Sequence, residues 1–90
     1  MGLNHPNIPR LNTIDITSDE RRTFYALEWM NANNGGKGVY VYSSEGERDR
    51  CAELELKKGY KVCIYDMIAH WNSDVSEAED FARDNLRING

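Results

Sequence analysis

The residues best placed to do chemistry are Ser43, Ser44, Glu45 and Gly46 at one point, with Asp66, His70 and Asn72 further along. Each group follows a short apolar run, Val39-Tyr40-Val41-Tyr42 or Val62-Cys63-Ile64-Tyr65, that reads as a strand. In an open parallel sheet, crevices form beyond the carboxyl ends of the strands, which is where these side chains would gather. Amides at the start of a helix after Ser44 would suit an anion, and Asp66 with His70 could orient one another for proton transfer. The same residues have plain structural uses: Ser44 caps a helix, Asp66 ends a strand, and His70 packs with Trp71 in a turn. Those uses are preferred, and Ser43, Ser44, Glu45, Gly46, Asp66 and His70 stand as an alternative ligand site.

Other catalytic chemistry finds little material. The chain has no G-x-S-x-G elbow, Walker loop, H-E-x-x-H or EF-hand pattern. Cys51 and Cys63 form no CxxC, and with only two histidines they make a poor zinc set. No metal and no cofactor is therefore expected. Cys63 lies among Val62, Ile64 and Tyr65, where a thiol is usually inert core, and Cys51 falls mid-helix with no activating base. A Cys51–Cys63 disulfide across a helix–sheet contact is conceivable, but a reducing cytosol opposes it. The expectation is a protein that is not an enzyme.

Charge and composition narrow the partners. Eleven Lys and Arg against fifteen Asp and Glu give a net charge of −4, which argues against direct nucleic-acid binding. Arg21-Arg22 and Lys57-Lys58 are short and lie beside carboxylates, as on solvated helix faces. No run approaches the roughly 18–20 apolar residues that span a bilayer, and no signal peptide opens the chain. Gly2 lacks the Ser or Thr that myristoylation wants at position 6, where Pro6 stands. No membrane partner and a cytoplasmic location follow as expectations. With 90 residues, the chain is read as one domain at 18–90 behind an irregular arm at 1–17.

The elements that would position these residues are punctuated by capping signals. Thr17 to Glu20 fits a capping box, and a helix is expected over about 18–33, ending in NNGGKG. Phe24, Leu27 and Met30 form one stripe of that helix; Tyr25 and Trp29 form a second that one sheet cannot also cover. Tyr25 and Trp29 are thus a candidate interaction surface, covered by the arm or by a second chain, and a homodimer is slightly favoured. Ser44 with Glu47 opens a highly charged helix to Lys58, and Gly59 stops it. Asp74 with Glu77 opens a last helix over about 75–88.

The expected fold class is α/β (or α+β), in the order α-β-α-β-α around a central βαβ unit, with both strands apolar on both faces. Leu11, Ile14 and Ile16 make the arm a candidate third strand, since two strands alone are marginal in water. The expected core is Phe24, Leu27, Val39, Val41, Leu54, Val62, Ile64, Phe81 and Leu86.

Residues 39–66, a strand, a helix, the KKGY turn and a strand ending in Asp66, resemble the opening unit of Rossmann dehydrogenases. The glycines of that family fall here on Ser43, Glu45 and Arg48, so the resemblance implies a βαβ fold without a dinucleotide site. YSSEGERD is similar to the first strand-loop of TIR domains, which are considerably longer than this chain. The function expected is a small non-catalytic protein–protein interaction factor, an accessory or inhibitory protein of the phage or mobile-element type, that modulates a larger macromolecule. Its aromatic surplus supports that reading. The alternatives are a small-ligand or nucleotide-binding module at the strand-end crevice, and an acidic mimic of nucleic acid.

Overall fold

The computed structural model describes residues 8–16, 21–70 and 73–88. Among these, four strands form one mixed sheet: β1 (Ile14–Asp15), β2 (Arg21–Met30), β3 (Lys37–Tyr42) and β4 (Lys61–His70). Two helices join them, α1 (Glu45–Lys57) and α2 (Val75–Asp84). The domain is α+β, with strand order β1-β4-β2-β3. The connection β3–α1–β4 links two strands of the same direction, but β2 lies between them and runs antiparallel to both. The crossover therefore skips over a strand.

The largest departure from the sequence reading is at residues 21–30. RRTFYALEWM is the ten-residue β2, in the interior of the sheet, and not a helix. Its two apolar stripes are the two faces of a strand covered on both sides. Phe24 and Ala26 point toward α2 with Val39, Val41, Tyr65 and Met67. Leu27 points the other way, with Val62, Ile64 and Ala52 of α1, and Trp29 packs beside them. A ten-residue strand paired with β4 throughout and with β3 from Tyr25 to Met30 outweighs any helical preference of Ala26, Leu27 and Glu28. The expected capping box at Thr17–Glu20 lies outside the described residues.

The connections follow local rules more closely. Gly35 takes φ +75 in the β2–β3 turn, and Gly59 takes φ +91 after α1, both left-handed conformations that favour glycine. Ser44 Oγ accepts from the Glu47 N–H at 3.4 Å to start α1, and Asp74 Oδ1 accepts from the Glu77 N–H at 2.9 Å to start α2. Residues 14–15 pair in parallel with β4 at Met67 and Ile68, and Arg10 bridges to Ile64. Residues 1–7 and 17 of the expected arm lie outside the described residues.

The helices cover opposite faces, and the expected core needs two corrections. Leu54 and Phe81 are exposed, at 51% and 36%. On α1 the inward places are taken by Arg48, Ala52 and Glu55 instead. Leu86 is half-buried. Cys51 and Cys63 are both free thiols on opposite sides of the sheet, so no disulfide crosses the helix–sheet contact.

Candidate functional site

The structure separates most of the residues that the sequence placed in one crevice. Asp66 does not end its strand, because β4 continues through His70. Asp66 and His70 share a face by alternation, but four strand residues at about 3.3 Å each put them roughly 13 Å apart along the backbone. They cannot orient one another for proton transfer. Ser43 is exposed, Ser44 caps α1, and Gly46 sits exposed in the first helical turn. Asn72 and Trp71 lie outside the described residues.

Glu45 and Asp66 are brought together, but around an arginine. Arg48 on α1 is fully buried; its Nε donates to Asp49 Oδ1 at 2.7 Å and its Nη2 to Glu45 Oε2 at 3.4 Å. Nη1 donates to the Tyr65 carbonyl at 3.1 Å and to Asp66 Oδ1 at 3.3 Å. The guanidinium also stands 5.5 Å from the Tyr25 ring centroid. From the arm, Arg10 reaches Asp66 at 3.4 Å and Glu45 at 3.7 Å. The carboxylates assigned from sequence to the alternative ligand site instead hold α1 and the arm to β4. This is a clamp built from charge-assisted hydrogen bonds.

Tyr25 and Trp29 lie on β2 beneath α1. Trp29 stacks on Tyr60 of the α1–β4 turn, with ring centroids 5.5 Å apart. Its ring also lies against Gly38 of β3, where an added Cβ would come within 2.9 Å of it. The indole N–H is buried with no acceptor among the described residues. Intramolecular packing therefore accounts for the second stripe, and the helical surface from which it was inferred does not exist.

A second buried group is Glu28, on the α2 side of β2. One carboxylate oxygen accepts from the Arg87 and Ile88 N–H groups at 2.7 and 2.8 Å, and the other from Tyr65 Oη at 2.6 Å. Burial and then the Glu28 carboxylate push the Tyr65 phenol well above its ordinary range. Cys63, paired opposite Glu28 in the sheet, is pushed up to about 11 by burial first and the same carboxylate second. That thiol stays protonated at neutral pH and is a poor nucleophile.

An open groove lies elsewhere, between α1 and β3. A groove of about 460 Å³ is lined by Tyr40, Tyr42, Cys51, Leu54, Glu55, Lys57 and Lys58. Its size falls in the range of about 300–1,000 Å³ usual for ligand sites. Tyr40 and Leu54 are 42% and 51% exposed, so its apolar wall faces water. Burial and a contact with the Cys51 thiol push the Tyr42 phenol upward, which leaves it a neutral floor residue. Lys58 binds Glu55 at 2.7 Å, and that contact raises its ammonium pKa.

Beyond the groove lies the outer edge of β3. The Asn31 N–H donates to the Gly36 carbonyl at 2.7 Å, which sets the parity of the β2–β3 ladder. Gly38, Tyr40 and Tyr42 then bond inward to β2, and the backbone groups of Lys37, Val39 and Val41 point outward. Among the described residues no strand pairs with that edge. Sequence reasoning missed this site because it assigned Leu54 to the core and read the Val39–Tyr42 strand as covered on both faces; the available signal was α1 itself, too charged to cover a wide face.

No cluster of His, Cys, Asp and Glu suited to a metal occurs among the described residues. Nor is any of their helices long and apolar enough to cross a membrane. Compared with family models, curated proteins and solved structures, the chain shows no significant match.

Proposed function

We propose that this chain is a non-catalytic interaction factor that holds a segment of a larger protein in the groove between α1 and β3. The observation that carries the reading is the groove's make-up: two tyrosines for a floor, an exposed leucine for a wall, and lysines at one end. Aromatic and apolar groups that face water gain most from being covered by a partner, at about 25 cal/mol per Å² of apolar surface removed from water. An acidic group on the partner segment would meet Lys57. Occupying a partner's surface in this way suits an accessory or inhibitory role.

The small-ligand alternative at the strand ends draws no comparable support. Its carboxylates are engaged by Arg48 and Arg10, and its histidine stands apart from its aspartate.

The test compares wild type with Leu54→Asp and with the double variant Lys57→Glu/Lys58→Glu, each immobilised at equal density and offered the same extract of source cells. All three substituted side chains are exposed, and circular dichroism checks that each variant is folded, the double variant above all because Lys58 is the partner of the buried Glu55. The expected result is a protein held by wild type and lost with Leu54→Asp. Retention of the same proteins by every variant would remove the groove from consideration.

A further inference from the structure

We infer that the groove is half of a site, and that a second copy of this chain completes it by pairing antiparallel with β3 about Tyr40. This rests on the groove being the binding surface and adds what lies on its open side.

The first argument is the edge. β3 is a six-residue edge strand without proline, and the N–H and C=O groups of Lys37, Val39 and Val41 are aimed outward. Edge strands are normally blunted by shortness, charged side chains, proline, bulges or inward charge; β3 carries only Lys37 at its start, and its stretch from Val39 to Tyr42 is left unblunted. The opposite edge is blunted: β1 has two residues. A two-fold axis opposite Tyr40 sets Val39 against Val41 of the second copy in hydrogen-bonded pairs. The two Tyr40 side chains then meet in a non-hydrogen-bonded pair, where opposed side chains approach most closely.

The second argument is charge, and it selects a second copy over an unrelated strand. The crossover sets α1 antiparallel to β3, so Glu45 and Glu47 lie at the carboxyl end of β3 while Lys57 and Lys58 lie at its amino end with Lys37. Along the α1 stripe nearest the groove, Glu47, Cys51, Leu54 and Lys58 follow one another at helical spacing. The pattern is acid, apolar, apolar, base. Reversed by a two-fold axis it is its own complement, with basic ends beside acidic ends and apolar centres facing. The interface is isologous.

The consequence is a trough. Its floor is the four tyrosines at positions 40 and 42 of the two copies, and its walls are the two α1 helices. On the other face α2 packs on β3, so the two α2 helices come alongside with Phe81, which is 36% exposed.

Sedimentation equilibrium from low micromolar to submillimolar protein tests this with wild type, Tyr40→Lys and Tyr40→Glu. Wild type is expected to rise to twice the 10.4 kDa monomer mass. Each variant, folded by circular dichroism, is expected to stay monomeric because like charges meet on the axis, and an equimolar mixture is expected to regain the dimer. In parallel, amide exchange at Val39 and Val41 slows as wild-type concentration rises. A wild type that stays monomeric at submillimolar concentration overturns the inference, as does a Tyr40→Lys variant that dimerises like wild type. A mixture that stays monomeric removes Tyr40 from the axis. A monomer that still retains a protein through Leu54 leaves the groove reading standing, whereas a dimer that retains none removes the groove as a site and leaves only the pairing through β3.

Discussion

At the residue scale, the buried polar groups decide more of this fold than its composition suggests. Arg48 and Glu28 are each fully buried and each satisfied, the one by three carboxylates and a carbonyl, the other by three donors. Arg48→Met keeps the bulk but strands that acidic cluster. Because the carboxylates reach water, the expected loss is about 2–4 kcal/mol, near the low end for a broken buried pair. Urea titration checks it, and a loss below about 0.5 kcal/mol, typical of surface sites, would make the clamp ornamental. Glu28→Gln keeps an acceptor for the Arg87 and Ile88 amides, whereas Glu28→Leu leaves all three donors unanswered. The leucine variant is expected to be the less stable by about 2–3 kcal/mol; equal midpoints in urea would argue against an anchoring role. Cys63 gives a pH prediction. Its thiol is held protonated up to about 11 in the fold against 9.0 when unfolded. The folded state thus binds the proton more tightly, and the resulting stability is intact below pH 9 and lost as pH rises through 11. Cys63→Ala is expected to flatten the fall in melting temperature across that window; an unchanged slope would assign the fall to the tyrosines.

At the element scale, β2 is the piece on which the sheet depends. It pairs with β4 along its whole length and with β3 from Tyr25 to Met30, and its two faces contribute to two cores. The hairpin to β3 brings Gly38 under the Trp29 ring, where a Cβ would sit 2.9 Å from the nearest ring carbon. The ring is held by Tyr60 on its other side and has little room to give. Gly38→Ala is accordingly expected to cost about 1–3 kcal/mol through overpacking, despite alanine's lower conformational entropy when unfolded. Thermal unfolding measures the balance; a variant as stable as wild type would show that the tryptophan repacks freely. α1 presents the opposite case, a helix whose charged residues face inward at Arg48 and Glu55 while Leu54 faces out.

At the scale of the whole molecule, a sheet between two helices gives 90 residues two thin cores in place of one thick one. Ile64 lies at the centre of β4, 1% exposed, with α1 above it and the residue 9–11 segment hydrogen-bonded beside it. Ile64→Ala is expected to cost about 2–5 kcal/mol out of a total stability of some 5–10 kcal/mol. A loss under about half a kcal/mol in urea would mean that β4 is not central.

The sequence by itself determined the succession of strand, helix and strand in β3–α1–β4, the cap at Ser44, the stop at Gly59 and the α2 start at Asp74, whereas Gly35, read as a helix cap, serves a strand turn. Each rests on a local preference: a side-chain oxygen for free helix amides, a missing Cβ for a left-handed turn, or a short run of β-branched and aromatic residues apolar on both faces. Only the tertiary structure decided residues 21–30. Apolar residues on both faces fit a two-stripe helix and a central strand equally well, and hydrogen bonds to two distant strands break the tie. The same non-local pairing placed β2 between β3 and β4, drew Arg48 inward to Asp66, and left Leu54 outside. The proposed functional surface follows from those choices. A sheet edge and the groove beside it exist only once the order of the strands is set, and that order is a property of the whole chain.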